Sequence, residues 1–474
     1  MSGTALGALL AAAGLVPLLA TSQPRLRLAG FVAWTLGIVV LAADLLHSPI
    51  SRFRVDATDH PPLAAGAILA AIAFLVVGGW LVQRWPWLLL LGAVLAAPAR
   101  IPVHAGGADA NLLVFLYAVI AAGWAATAWE LLRGAERAPE LGRLGQAAAA
   151  LVGWMAISVL WTADTHQAGV EMLFFVLPFA FLLARLGALR PGLRELRWAF
   201  IAQVALGLVF TAVGAYQHLT HHVFWNPKII VANDYAAFFR VNSLFWDASI
   251  YGRFLAVTIV LLAAVCIYRG FSWWLIGLIA VLFGGMYLAY SQSSLLALAA
   301  GCLFLGATVW PRRATIVVLA VTAVAGAVAL VVALGSHSAN SVSSDRSHLL
   351  DLGKRVIRHH PFGGAGMGGF ARAALEGTVH PGRVGSAASH TTPVTVLAEL
   401  GPVGLALYVW LLFTAFVAGL MRPLHPLRLA LLAALVVILA HSLFYNAFFE
   451  DPATWILLAL LPTVTTTPAS KAAA

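Results

Sequence analysis

The amino-acid sequence predicts an all-α polytopic membrane protein, a bundle of about 12–15 transmembrane helices with two larger extracytoplasmic loops. Three observations predict it. Of 474 residues, 62% are hydrophobic and only 10% are charged, a composition foreign to soluble domains of this length. Apolar stretches of about 18–22 residues recur along the chain, each long enough to cross a hydrocarbon core of roughly 30 Å as a helix. These runs are continuous rather than alternating, which excludes a transmembrane barrel. The third observation is that the arginines sort by loop.

The spans follow in order near 3–20, 27–46, 62–81, 84–98, 110–132, 146–161, 167–187, 196–217, 249–268, 272–289, 291–309, 314–334, 393–419, 427–444 and 450–462. One set of alternate short loops carries Arg25, Arg27, Arg84, Arg133, Arg137, Arg143, Arg185, Arg190, Arg194, Arg197, Arg269, Arg312, Arg313, Arg422 and Arg428. The short loops of the other set carry only Arg52, Arg54 and Arg100. The positive-inside rule makes the first side cytoplasmic. The net charge of +10 is then a topology signal, helped by anionic lipid, and not a footprint for nucleic acid. Cys266 and Cys302 fall within spans and read as small apolar fillers. Segment 3–20 lacks a basic leader, so it is expected to remain as a span with the N-terminus outside.

Polar residues gather in two long loops on the outer face, 218–248 and 335–390, with short outer turns at 161–167, 290–294 and 444–451. In the second loop, Leu349, Leu350, Leu352, Val356 and Ile357 stand at helical spacing beside Lys354, Arg355 and Arg358. That pattern predicts an amphipathic helix lying on the membrane surface. Pro361 ends it, and "GGAGMGG" follows. Such a segment is either a flexible connector or a place where backbone approaches a ligand.

"SHTTPVTVLAELGPVG" opens at Ser389. Thr392 is the expected N-cap and Pro393 the first residue of a long span. His390 then stands above a helix N-terminus that favours an anion. Glu399 lies about 9 Å lower in the same helix. An acid inside a span is a functional candidate, and a helix–helix hydrogen bond is its plainer explanation. Asp44 and Glu130 lie near span ends, and Glu171 near the outer start of its helix. Arg240 precedes the span at 249, while Arg253 lies about a turn inside it, where burial demands a partner. His218, His221 and His222 form only a loose group, short of a zinc site.

In this order the landmarks resemble the bacterial O-antigen ligase and O-antigen polymerase superfamily. The resemblance covers roughly 236–460. It rests on "FFRVNSLFWDASIYGRFLAV", on "SDRSHLLDLGKRVIRHHPFGGAGMGGF", and on His390 and Thr391 followed after nine residues by Gly401 and Gly404. "HSLFYNAFFED" resembles the terminal family stretch. Relatives often place Asn, Ser or Gln where Thr391 stands. Many also carry Ser-Arg-Gly at an outer turn, whereas "SQSSL" puts Ser294 where that arginine would be, so one phosphate-binding arginine is either absent or replaced by Arg253.

The resemblance implies a glycosyltransferase that moves a glycan from undecaprenyl pyrophosphate to an acceptor hydroxyl outside the cytoplasmic membrane. It implies neither metal nor cofactor, since arginines can neutralise the pyrophosphate leaving group. Catalytic roles are expected for His390, Arg240 and Arg253, with His390 as general base or anion holder. Substrate contacts are expected from Arg346, Arg355, Asp247, Glu399 and Trp225. The partners are the lipid-linked donor, a glycan, glycolipid or other hydroxyl acceptor, and membrane lipid. The organisation is then 1–217, an N-terminal transmembrane bundle; 218–462, the O-antigen ligase-like catalytic region; and 463–474, a disordered cytoplasmic tail. A polysaccharide polymerase of the same superfamily is the alternative within the class. The rival class is a polysaccharide or proton-coupled transporter, disfavoured because polar residues cluster on one face and no internal repeat is seen.

Overall fold

The computed structural model describes residues 2–47, 61–99, 101–105, 108–134, 137–235, 238–314, 316, 346–376 and 389–464. Among them, nine helices are long and apolar enough to cross a membrane, and five shorter apolar helices accompany them. The expected span 314–334, apart from 314 and 316, and the tail beyond 464 lie outside the described residues.

Helix α1 (Gly3–Ala20) packs on α2 (Pro24–His47) through small residues, Gly7, Ala11 and Gly14 facing Gly30 and Gly37. Close backbone approach of this kind drives association where lipid offers no hydrophobic gain. Asp44 Oδ2 accepts from both the amide and the hydroxyl of Thr4, at 2.6 Å each, so this acid caps the start of α1. Helices α3 (Pro61–Arg84), α4 (Trp87–Ala96) and α5 (Val114–Leu132) follow. Between α4 and α5 lies the one departure from the all-helical expectation among the described residues. There β1 (Ile101–Ala105) pairs antiparallel with β2 (Ala108–Leu112), so α5 starts after this pair and not at 110.

Next come α6 (Gly142–Ser158), α7 (Thr165–Glu171), a π-type turn over Met172–Val176 and α8 (Leu177–Leu189). Pro178 has no amide to offer the carbonyl four residues back. That carbonyl, on Phe174, accepts instead from the Tyr117 hydroxyl at 2.8 Å. Glu130 pairs with the buried Arg185 at 3.0 Å. Arg185 is therefore a bundle residue. Arg27 and Arg428 are buried as well and donate to carbonyls at helix ends, Leu18 at 2.7 Å and Met421 at 2.9 Å. Three arginines counted as loop markers thus cap or pair inside the fold.

The second half holds α9 (Leu193–Thr220), α10 (Pro227–Tyr235), α11 (Ala248–Arg269), α12 (Trp273–Leu288) and α13 (Gln292–Val309). After the undescribed stretch come α14 (Arg346–His359), α15 (Phe370–Ala373), α16 (Thr392–Gly419), α17 (Pro426–Ser442) and α18 (Pro452–Thr463). At 1.5 Å per residue α18 reaches only about 18 Å. It is buried along nearly its whole length and packs on α8 and α17, so it is an interior half-helix. One continuous core runs from Ala5 to Val464, joining residues on both sides of the proposed division at 217/218.

The amphipathic α14 forms as predicted, but protein covers its apolar face. Leu352 and Val356 are buried against Ala365, Phe370, Ala373, Ala374 and Ala398. Periodicity shows that a face is apolar; it does not say whether lipid or protein meets it.

Candidate active site

Several helix ends meet at one end of the bundle. Contacts between residues 158 and 367, 240 and 289, 253 and 451, 293 and 441, and 391 and 443 bring together the last turns of α6, α12 and α17 and the first turns of α11, α13, α16 and α18. The segment that ties most of them is 441–451, "HSLFYNAFFED".

Arg240 is half-buried and held on three sides. Its amide and carbonyl bond the Asn233 side chain, each at 2.9 Å. Its Nε donates to the Ala289 carbonyl at 2.9 Å, and one terminal nitrogen donates to Ser249 Oγ at 3.2 Å. A guanidinium carries five N–H donors, so these two bonds leave others for a ligand. Arg253 has the partner its burial demands. Its guanidinium meets Asp451 Oδ2 at 2.8 Å, with side chains only 4% and 14% exposed. Asp451 also caps α18, its Oδ1 accepting from Ala453 N at 2.9 Å.

His390 stands half-buried just before α16 with a left-handed backbone, φ 63°. Thr391 is the N-cap, one residue earlier than expected, which puts Pro393 at the second helical position. Ser389 locks the corner, its amide donating to Thr395 Oγ1 at 3.2 Å. Thr391 Oγ1 donates to the Leu443 carbonyl at 3.1 Å, which ties the helix start to the 441–451 segment. The His390 ring lies 6.3 Å from that of Tyr445, which in turn lies 5.7 Å from His441.

The glycine segment binds protein backbone. Pro402 lacks an amide, so α16 breaks at Gly401, which takes φ 66°. The break frees carbonyls that hydrocarbon cannot satisfy. Ala365 N donates to Ala398 O and Gly366 N to Glu399 O, both at 2.8 Å, and Trp154 Nε1 donates to Leu400 O at 2.8 Å. A Cβ on Gly364 (φ 67°) would stand 2.3 Å from Glu399 O, and one on Gly401 2.3 Å from Phe362 O. Only glycines let the two chains approach so closely. Glu399, buried, takes up one of the loop's amides, Phe370 N, on Oε1 at 3.2 Å. A cavity of about 40 Å³ adjoins it, lined also by Glu171, Asn446 and Glu450. The helix–helix role offered for Glu399 thus becomes a helix–loop role.

The other expected contacts fall outside this centre or serve the fold. Asp247 caps α11, accepting from Ser249 N at 2.6 Å. Trp225 Nε1 donates to the Phe245 carbonyl at 3.1 Å. Arg355 is exposed on α14, and Arg346 opens that helix. Among the described residues no group of three His, Cys, Asp or Glu is placed to hold a metal ion, the loop histidines included. Sequence reasoning passed over His441, Tyr445 and the pairing of Asp451. All three were within the stretch already recognised by resemblance, and histidine and aspartate in an apolar setting were the available signal.

Beside the centre runs an apolar groove of about 980 Å³. Arg253, Asp451 and Phe245 line one end; Arg269, Arg197 and His425 line the other. Along α11 it extends from Ile250 to Arg269, about 28 Å at 1.5 Å per residue and close to the thickness of a hydrocarbon core.

No curated protein matches the chain. The O-antigen ligase family model matches residues 277–409, from within α12 through α13, α14 and the glycine segment to the middle of α16. Those residues hold Ser291–Ser294, the break at Gly401 and His390, and over this stretch the multi-pass membrane protein carries a domain similar to the O-antigen ligase family.

Proposed function

We propose that the protein transfers a glycan from a polyprenyl pyrophosphate to an acceptor hydroxyl on the extracytoplasmic face of the cytoplasmic membrane, as an O-antigen ligase. The observation that carries this reading is the meeting of the Arg253–Asp451 pair and His390 on one connector, 441–451, with Arg240 linked to it through Ser249 and the serine turn 291–294. Arg240 offers its remaining N–H donors to the pyrophosphate oxygens, where charge develops as the phosphate–sugar bond breaks. Arg253 adds positive potential from behind, moderated by Asp451. The apolar groove that opens at Arg253 receives the polyprenyl tail, in keeping with its walls and length. His390, above the α16 N-terminus, takes the proton of the acceptor hydroxyl; an anion-holding His390 is the other form of the same reading. The guanidinium groups fill the charge-neutralising role of a divalent ion, so turnover is expected to survive EDTA. Loss of activity on chelation with recovery on Mg²⁺ would refute that role.

The decisive experiment is His390→Ala in lipid-reconstituted enzyme. A general base contributes roughly 10²–10⁴ in rate, so kcat at saturating donor is expected to fall within that range with donor KM little changed. A raised KM with kcat kept makes His390 an anion holder. Unchanged values for both, in a folded variant, remove His390 from the mechanism. Ligase and polymerase separate in the carrier-lipid profile of a deletion strain. Long carrier-linked chains accumulate if the ligase is missing and fail to form if a polymerase is.

A further inference from the structure

Behind Arg240 lies a chain of buried hydroxyls whose hydrogens run in one direction. His441 Nε2 lies 3.2 Å from Ser293 Oγ, which is 3.1 Å from Ser291 Oγ, which is 2.8 Å from Ser294 Oγ. Ser294 Oγ lies 3.3 Å from the Ser249 carbonyl oxygen. His441, Ser291, Ser293 and Ser294 are each at most 2% exposed. A carbonyl only accepts, so Ser294 spends its hydrogen on Ser249. A hydroxyl has one hydrogen, so Ser294 accepts from Ser291, Ser291 from Ser293, and Ser293 from the ring of His441. His441 must therefore carry a hydrogen on Nε2. Ser249, fixed at its carbonyl by this chain and at its amide by Asp247, accepts on its own hydroxyl oxygen from Arg240. The second anchor of Arg240, the Ala289 carbonyl, immediately precedes the same serine turn. The turn packs directly on α11 at Gly252, where a Cβ would lie 2.6 Å from Ser294 Oγ.

We propose that His441 is a positioning residue, which sets the guanidinium of Arg240 through the Ser293–Ser291–Ser294–Ser249 chain. The histidine near the end of α17 thereby orients an arginine that precedes α11. The proposal rests on the reading that Arg240 holds the donor pyrophosphate.

Two measurements on the full-length protein in lipid nanodiscs test it. Solid-state NMR of ¹⁵N-histidine, with the signal assigned by its loss in His441→Gln, is expected to show hydrogen on Nε2. A bare Nε2 overturns the chain whatever the enzyme does. The second measurement is affinity for undecaprenyl pyrophosphate. His441→Phe is expected to weaken it roughly three- to tenfold, about the worth of one hydrogen bond. His441→Gln keeps an N–H donor and is expected to restore it. In an Arg240→Ala background the His441→Phe penalty is expected to vanish, since coupled residues do not add. A penalty of undiminished size there makes His441 a packing residue and overturns the proposal. Ser293→Ala removes the same bond with little change in volume and replaces His441→Phe if that variant fails to fold. If Arg240→Ala leaves the affinity unchanged, the phosphate role of Arg240 fails, while the ¹⁵N signal still passes or fails the chain.

Discussion

At the scale of single residues, what matters is which arginine keeps a partly exposed guanidinium at the site. Arg185 is tied to Glu130, Arg428 to carbonyls and Arg253 to Asp451. Arg240 uses two donors and keeps a half-buried guanidinium at the site. The Arg253–Asp451 pair is buried enough that cutting it leaves a stranded charge. Asp451→Ala is expected to cost about 3–5 kcal/mol, whereas the double change Arg253→Met, Asp451→Leu is expected to recover most of that loss. Thermal unfolding in detergent, followed by size-exclusion fluorescence, measures both. Equal loss in the single and double variants would show that the capping of α18 by Asp451, and not the ion pair, carries the stability. Transfer activity should stay low in the double variant, because its positive potential is gone.

At the scale of elements, the break in α16 and the glycine segment form one device. Pro402 frees the carbonyls of Ala398 and Glu399, and the amides of Ala365 and Gly366 take them. This joins α16 to the loop that carries α14 and, through Met367 N bonded to Ser158 Oγ at 3.1 Å, to α6. His390 sits at the other end of the same helix segment, so its placement depends on this clasp. Gly364→Ala would drive a Cβ into the Glu399 carbonyl at a positive φ. The expected cost is about 3 kcal/mol or more, seen as a fall in melting temperature together with loss of transfer. Normal stability in that variant would mean that the loop and α16 separate without consequence.

At the scale of the whole molecule, the site end and the arginine-rich end lie at opposite ends of the groove beside α11. The proposed sidedness is checked by labelling in a background with Cys266 and Cys302 replaced by alanine. Glu376→Cys, on the half-exposed end of the loop after α15, is expected to react with an impermeant maleimide in sealed right-side-out membranes. Arg194→Cys, exposed at the start of α9, is expected to react only after the membrane is opened. The reverse pattern would place the site in the cytoplasm and exclude a donor presented on the outer leaflet.

The sequence by itself determined the class, the order of the spans and the position of His390 ahead of a long helix. These depend on local properties, since apolar length and helix-start chemistry need no knowledge of neighbours. It also held the break motif, though Gly401 and Gly404 were legible only as spacing. Tertiary structure decided the rest. The hydrocarbon-facing and protein-facing sides of a span have the same composition, so the pattern was silent on α14's partner and on the interior burial of α18. The glycine segment reads as a flexible connector or as open to a ligand, because its true neighbours, the α16 backbone and the backbone of residues 162–168, lie more than thirty residues away in the chain. His441, Tyr445 and Asp451 acquire their meaning only from residues 293, 390 and 253, and no local signal carries contacts across such separations.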